Sequence, residues 1–306
     1  MQVLVYGTGA VGGYFGACLA RGGCDVTFVA RGATLEMLGT RGLTVELPGD
    51  RWHLAEPRAV DTPAAAPAAD LVLVCVKSYD TPAAARALRG VIGPDAICLS
   101  LQNGIENEEI LARGLALAPL MVAFTRIGVA MPEPGRVVYS GRGEIVFGEP
   151  DGTRSPRVER LAAALAAAGI AHEVRADILV GAWEKLAWNA GFNAVTALTG
   201  TTVAQVLAHP GTRELVVAAM EEVDAVATAA GVPVRRRRTR AVLDDSMRGL
   251  PDFETSMLQD LRRGRRLEHD GITGAVVRAA VRTGVAVPVN RVLLALLDGV
   301  DPGRVR

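Results

Sequence analysis

Lysine is nearly missing from this chain. Of its 33 basic residues only Lys77 and Lys185 are lysines, so arginine serves wherever a surface merely needs positive charge. Arginine stays protonated at any ordinary pH, whereas a buried lysine can have its pKa lowered far enough to release a proton. The two lysines are therefore candidates for chemistry. A net charge of one sign is also lacking: 33 acidic residues balance the basic ones, so no overall field favours nucleic acid or an anionic membrane. The run Arg235-Arg236-Arg237-Arg238 is a local exception. Near Gly231 and Pro233 it reads as a solvated helix face or loop before it reads as a phosphate or nucleic-acid site.

Metal-ligand spacing is absent as well. The four cysteines stand at 18, 24, 75 and 98 and the four histidines at 53, 172, 209 and 269, so no structural metal site is expected. Cys75 and Cys98 fall inside apolar strand-like runs, where a free thiol is usually a small buried hydrophobe. No uninterrupted apolar run reaches the ~20 residues of a membrane span, and Met1 leads straight into a strand with no signal-peptide pattern. A reduced, cytoplasmic protein is expected. Its 306 residues, half of them apolar, allow two domains, each with its own core.

The amino-terminal half reads as a dinucleotide-binding unit. Residues 2–6 form a short apolar strand, and Gly7-Thr8-Gly9-Ala10-Val11-Gly12 follows at once. A helix pattern runs to about Arg21, then a second strand over 25–30. A lone G-x-G-x-x-G is weak, but one placed between strand and helix in a βαβ unit is specific. Gly7 allows the tight turn, Gly9 lets the backbone approach a pyrophosphate, and Gly12 lets helix and strand pack closely. Arg31 ends the second strand, and no acidic residue follows until Glu36. A carboxylate there would bind the ribose 2′-hydroxyl of NAD. An arginine suits the extra phosphate of NADP, or is an incidental surface charge.

Residues 70–76 form a continuous apolar run typical of a doubly buried parallel strand, delivering Lys77 at its carboxyl end. A helix near 82–90 and a strand over 96–101 lead to Gln102-Asn103-Gly104. That Asn-Gly is either a turn or a site residue beside the nicotinamide or the substrate. Long, partly antiparallel strands with a turn in the Gly140s are expected over 120–148. A helix near 156–168 and a strand near 170–174 follow.

After residue 175 strand patterns vanish. Helical periodicity fills 177–198, 212–230, 235–248, 254–263, 268–283 and 289–298. Lys185, Asn189 and Asn193 fall at i, i+4 and i+8 of the first helix, a polar stripe among Trp183, Leu186, Trp188 and Phe192. Such groups need partners when buried, from a substrate or from other helices. Glu268 and Asp270 open a later helix, where acidic residues are also common for dipole reasons alone.

Together these stretches resemble the ketopantoate reductase (2-dehydropantoate 2-reductase) family over nearly the whole chain. The resemblance rests on Gly7-Thr-Gly-Ala-Val-Gly12, Val-Lys77-Ser-Tyr, Gln-Asn103-Gly, Glu-Lys185-Leu-Ala-Trp-Asn189 with Asn193, Ser256-Met-Leu-Gln-Asp, and Glu268 with Asp270. It implies a Rossmann-type doubly wound NADP-binding domain over 1–175 and an all-helical substrate domain over 176–306. It also implies reduction of 2-dehydropantoate to pantoate by NADPH, toward pantothenate and coenzyme A. By motif match Lys185 is the general acid and Glu268 its partner. Asn189 and Asn193 hold the substrate hydroxyl and Ser256 its carboxylate, while Asn103 and Lys77 lie near the nicotinamide. Three residues depart from common family patterns: Phe253, His269 and Thr273. Phe253 would turn the pocket toward another 2-oxo acid.

The rivals are a reductase of a different 2-oxo acid, a non-catalytic NADPH-binding protein, and a nucleic-acid binder using the arginine run. A small-molecule 2-oxo acid is the expected partner, with neither nucleic acid nor membrane. The apolar carboxyl-terminal helices are compatible with a homodimer.

Overall fold

The computed structural model describes all residues except 94, 118, 235–242, 244–252 and 304–306. The expected helix over 235–248 thus lies almost wholly outside the described residues, and the arginine run entirely so. Two compact units emerge: Met1–Gln102 with Asn107–Ile178, and Asn103–Glu106 with Leu179–Arg306. The chain leaves the first unit after Gln102, lends four residues to the second, and returns at Asn107.

The first unit contains two sheets. Its strands are β1 (Gln2–Tyr6), β2 (Asp25–Val29), β3 (Leu43–Leu47), β4 (Asp50–Leu54), β5 (Arg58–Val60), β6 (Leu71–Val74), β7 (Ile97–Ser100), β8 (Val122–Glu133), β9 (Arg136–Gly148) and β10 (Ala171–Val174). Its helices are α1 (Ala10–Arg21), α2 (Gly32–Arg41), α3 (Thr81–Leu88), α4 (Asn107–Leu115) and α5 (Pro156–Ala167). The first sheet is parallel, in the order β5-β2-β1-β6-β7. All four residues of β6 and of β7 are buried, as expected where helices cover both faces of a parallel sheet.

The second sheet, in the order β10-β9-β3-β4 with β8 paired to β9, is only partly anticipated by the sequence. β3 and β4 form an antiparallel hairpin around Pro48-Gly49, where Gly49 has φ +79°. The turn expected in the Gly140s lies instead at Pro134-Gly135, Gly135 having φ +76°. Gly141 and Arg142, at φ +147° and +55°, sit inside β9 where its register against β8 slips. That glycine serves a bulge, which tolerates one extra residue without reversing the chain.

The second unit is helical: α6 (Ile178–Trp188), α7 (Ala194–Thr199), α8 (Val203–Ala208), α9 (Pro210–Ala229), α10 (Ser256–Arg262), α11 (Ala275–Thr283) and α12 (Pro288–Val300). Between α6 and α7 the residues Asn189–Asn193 wind as a π-helix, and Asp270–Gly274 do so ahead of α11. The core gathers Trp183, Leu186, Phe192, Val216, Met220, Val223 and Leu293. α8 has no counterpart in the sequence reading, although Thr202 and Gln205 form a capping box at its start. No described helix is long and apolar enough to cross a membrane.

Candidate active site

The cofactor loop of the first unit follows from three glycines in different surroundings. Gly7 has φ +103°, and an ideal Cβ there would lie 2.7 Å from Val76 Cγ1. On Gly12 a Cβ would lie 2.2 Å from the Gly7 carbonyl oxygen, so helix and loop touch only because no side chain intervenes. Gly9 caps α1 in an extended conformation and faces open space. The first turn of α1 carries no acidic residue, and no side chain caps its amides. Bare amides at the positive end of a helix dipole, beside an open glycine, suit a pyrophosphate.

The rest of the loop is braced. Thr8 is buried and its hydroxyl donates to the Val29 carbonyl at 3.0 Å, so only its backbone is left for a ligand. Ala10 and Val11 form the first helical turn. Arg31 is exposed just past β2. Lys77 is half-buried beyond β6 and caps a short 3-10 turn, Ser78–Asp80. Burial pushes the Cys75 thiol up to about 12, so this neighbour of the loop stays an unreactive thiol.

The second unit brings Asn103, Asn189 and Glu268 together. Asn189 Nδ2 donates to Asn103 Oδ1, and Asn103 Nδ2 donates to Glu268 Oε2, each at 3.5 Å. Asn189 and Glu268 are buried. Asn103 reaches this group because Gly104 adopts φ +107° and Ile105 packs against the helical core. Lys185 is half-buried in the last turn of α6, one turn before Asn189.

The expected unbroken helix over 177–198 is interrupted by the π turn. In an α-helix each four-residue step overshoots a full turn by ~40°, so Asn193 would drift from Lys185. A π turn, with i→i+5 bonding, winds more widely and counteracts that drift. Within the turn Gly191 lets α9 pack closely, since a Cβ there would lie 3.1 Å from both Met220 and Val216 side chains. Asn193 is 2% exposed. Ser256 opens α10 and is exposed. Its neighbour Thr255 caps that helix and shares a 2.7 Å hydroxyl bond with Thr196, which ties Ser256 to the Asn193 segment.

The departures from the family pattern divide. His269 turns toward α12, its Nε2 lying 2.8 Å from Asp298 Oδ1. Thr273 is fully buried in the second π turn. Phe253 meets Trp188 edge-on at 6.2 Å, and Trp188 lies 4.9 Å from Phe192. Among the described residues no group of three or more His, Cys, Asp or Glu could hold a metal ion. Sequence reading passed over Glu106 and Arg278, which form an ion pair at 2.7 Å. Their separation of 172 positions in sequence leaves no local signal.

Two family models match the chain: ketopantoate reductase PanE/ApbA over residues 3–152 and its carboxyl-terminal counterpart over 177–301. The chain is 38% identical to a 2-dehydropantoate 2-reductase of Halobacterium salinarum, covering 97% of this chain and 98% of that one. A PanE/ApbA family ketopantoate reductase from Ralstonia eutropha superposes with a TM-score of 0.90 at 35% identity, covering 98% of both chains. A D-mandelate dehydrogenase, solved with NADH and anilino(oxo)acetate, gives a TM-score of 0.91 at 22% identity, again over 98% of both. That last likeness concerns the fold alone. With both halves matched and full-length relatives well above 30% identity, this chain belongs to the ketopantoate reductase family.

Proposed function

We propose that the chain reduces 2-dehydropantoate to pantoate with NADPH, in the route to pantothenate and coenzyme A. The observation that carries this reading is the hydrogen-bonded series Asn189–Asn103–Glu268, one helical turn from Lys185, in a chain of this family. Held at the glycine loop of residues 7–12 and by Arg31, NADPH would supply a hydride to C2 of the oxo acid. Lys185 donates a proton to the oxygen that becomes the hydroxyl, and its charge stabilises that oxygen as it becomes anionic. Glu268 orients the ammonium. Asn189 and Asn193 hold the substrate hydroxyl, Ser256 its carboxylate. Asn103, which shares hydrogen bonds with Asn189 and Glu268, orders the amide that faces the substrate.

Residues 1–175 form the cofactor domain in this reading, and 176–306 the substrate domain with Asn103 added. NADP rather than NAD is supported by Arg31 after β2, where no carboxylate stands. Lys77, beyond strand β6 on the other side of β1, belongs to the same cofactor site. A cytoplasmic setting suits four free cysteines. A homodimer would cover Val292, Leu296 and Val300, an exposed stripe along α12.

The aromatic group Trp188, Phe192 and Phe253 favours a second reading, a 2-oxo acid with a bulkier apolar substituent. Steady-state NADPH oxidation with 2-dehydropantoate beside branched and aromatic 2-oxo acids separates the two. The highest kcat/KM on 2-dehydropantoate supports the first reading. A higher value on an aromatic acid replaces it with the second, and no oxidation with any acid sinks both.

A further inference from the structure

We propose that Arg278 is a positioning residue for this reaction, clamping together the two backbone segments that carry Asn103 and Glu268. The proposal rests on the functional reading above, and it assigns a task to a side chain that contacts neither Asn103 nor Glu268 in any described bond. Arg278 Nε and Nη2 donate to Glu106 Oε2 at 3.1 and 2.7 Å. Its Nη1 donates to Asp270 Oδ1 at 2.7 Å, and Nη2 also donates to the Asp270 carbonyl at 2.9 Å. Glu106 stands three residues after Asn103, and Asp270 two after Glu268. One planar guanidinium therefore fixes both segments against α11.

Geometry gives this clamp its consequence. The Asn103–Glu268 and Asn189–Asn103 bonds are both 3.5 Å long, at the outer limit of hydrogen bonding. A shift of a few tenths of an ångström at either segment breaks them. A rigid fork that binds two acceptors at once resists such a shift, and a lysine in its place would present a single point charge. Room for the clamp is kept by Gly274, where a Cβ would lie 2.6 Å from Asp270 Oδ1 and 3.1 Å from Arg278 Nη1. Arg282 adds a longer contact, 3.5 Å to Glu106 Oε1. Half-exposed ion pairs contribute little to stability, and Arg278 is 42% exposed. Holding geometry is the effect left for so many bonds.

The test uses the full-length enzyme with Arg278→Met, Arg278→Lys and Glu106→Gln. Each is assayed for kcat and KM on 2-dehydropantoate, for NADPH affinity by fluorescence, and for thermal unfolding. Misplacing reacting groups by about 1 Å costs roughly 10²-fold, so Arg278→Met should lose about 10- to 100-fold in kcat. Arg278→Lys should recover only part of that, and NADPH affinity should stay unchanged. Wild-type kcat in folded Arg278→Met overturns the proposal, even if its melting point falls. Should Arg278→Met fail to fold, Glu106→Gln decides by the same criterion, with a smaller loss expected.

A wild-type enzyme inactive on every 2-oxo acid would sink the functional reading alone. The side-chain amide resonances of Asn103 and Asn189 then decide the clamp. Their displacement in Glu106→Gln supports it, and unchanged resonances overturn it.

Discussion

Asn103 and Glu268, 165 residues apart in sequence, share one hydrogen bond, with Asn103 Nδ2 donating to Glu268 Oε2 at 3.5 Å. Since Asn103 Oδ1 simultaneously accepts from Asn189, one amide fixes the orientation of both neighbours. Asn103→Ala removes that link without adding charge. We expect kcat on 2-dehydropantoate to fall about 10- to 100-fold, less than the roughly 10²–10³-fold loss of a donor aimed at the reacting oxygen, because Asn103 acts through its neighbours. NADPH affinity, measured separately by fluorescence, should change far less. An unchanged kcat would take Asn103 out of the working site.

Lys185→Arg keeps the charge and removes the releasable proton. General acid catalysis contributes roughly 10²–10⁴-fold, so turnover at saturating substrate should fall by that factor at every pH between 6 and 9. Near-wild-type turnover across that range would leave Lys185 with charge stabilisation only.

Two glycines of the cofactor loop should fail in different ways. Gly12→Ala places a Cβ 2.2 Å from the Gly7 carbonyl oxygen, and overpacking of this kind costs about 1–3 kcal/mol. Its melting temperature should drop visibly. Gly9→Ala meets nothing within 4 Å, so the protein should melt like wild type. Its NADPH affinity should nonetheless weaken by roughly tenfold or more, because the methyl stands where the pyrophosphate approaches the backbone. Calorimetry of both variants, with and without NADPH, checks the pair.

Arg31→Ala tests the choice of cofactor. A hydrogen bond to a charged group contributes about 1.5–3 kcal/mol, equivalent to roughly a 10- to 100-fold fall in the ratio of kcat/KM for NADPH to that for NADH. A ratio that does not move would reassign Arg31 as surface charge.

Glu149 supplies a pH signature of stability. The guanidinium of Arg157 holds its carboxyl below the usual carboxylate range, through bonds of 2.7 and 2.6 Å. A group whose folded pKa is depressed adds stability above its unfolded pKa, roughly 4.3, and loses it as pH falls through the lower folded value. Glu149→Gln should therefore be less stable than wild type at pH 7. The gap should narrow as pH falls below about 4 and close only once the wild-type carboxyl is protonated. Urea unfolding across that range reads it directly, and a gap independent of pH would reject the ion pair as its source.

Local pattern was enough for β1, the glycine loop and α1, because strand, turn and helix each declare themselves within a few residues. The alternation Leu43-Thr-Val-Glu-Leu around Pro48-Gly49 was equally local, and the β3–β4 hairpin could have been found from it. The Gly140s turn was misplaced because glycine marks bulges as readily as turns. Other features are not local at all. That Asn103 joins the helical unit depends on where the chain crosses after Gln102. The π turn at Asn189–Asn193 packs α9 against Gly191, a contact far off in sequence, and Arg278 finds Glu106 only once the helices are assembled. Spacing in the sequence proposed the residues, but packing set their partners.

The four-residue loan Asn103–Glu106 bears on how this enzyme can be recombined. A cut after Ile178 looks like a clean border between halves, yet everything downstream of it lacks Asn103 and Glu106, one of the two residues that accept from Arg278. A chimera that exchanges the helical half in one piece would join one parent's Arg278 to the other parent's tetrapeptide. Modularity here is interleaved: the transferable unit is Leu179–Arg306 together with Asn103–Glu106, and hybrids that move both should outperform those that move either alone.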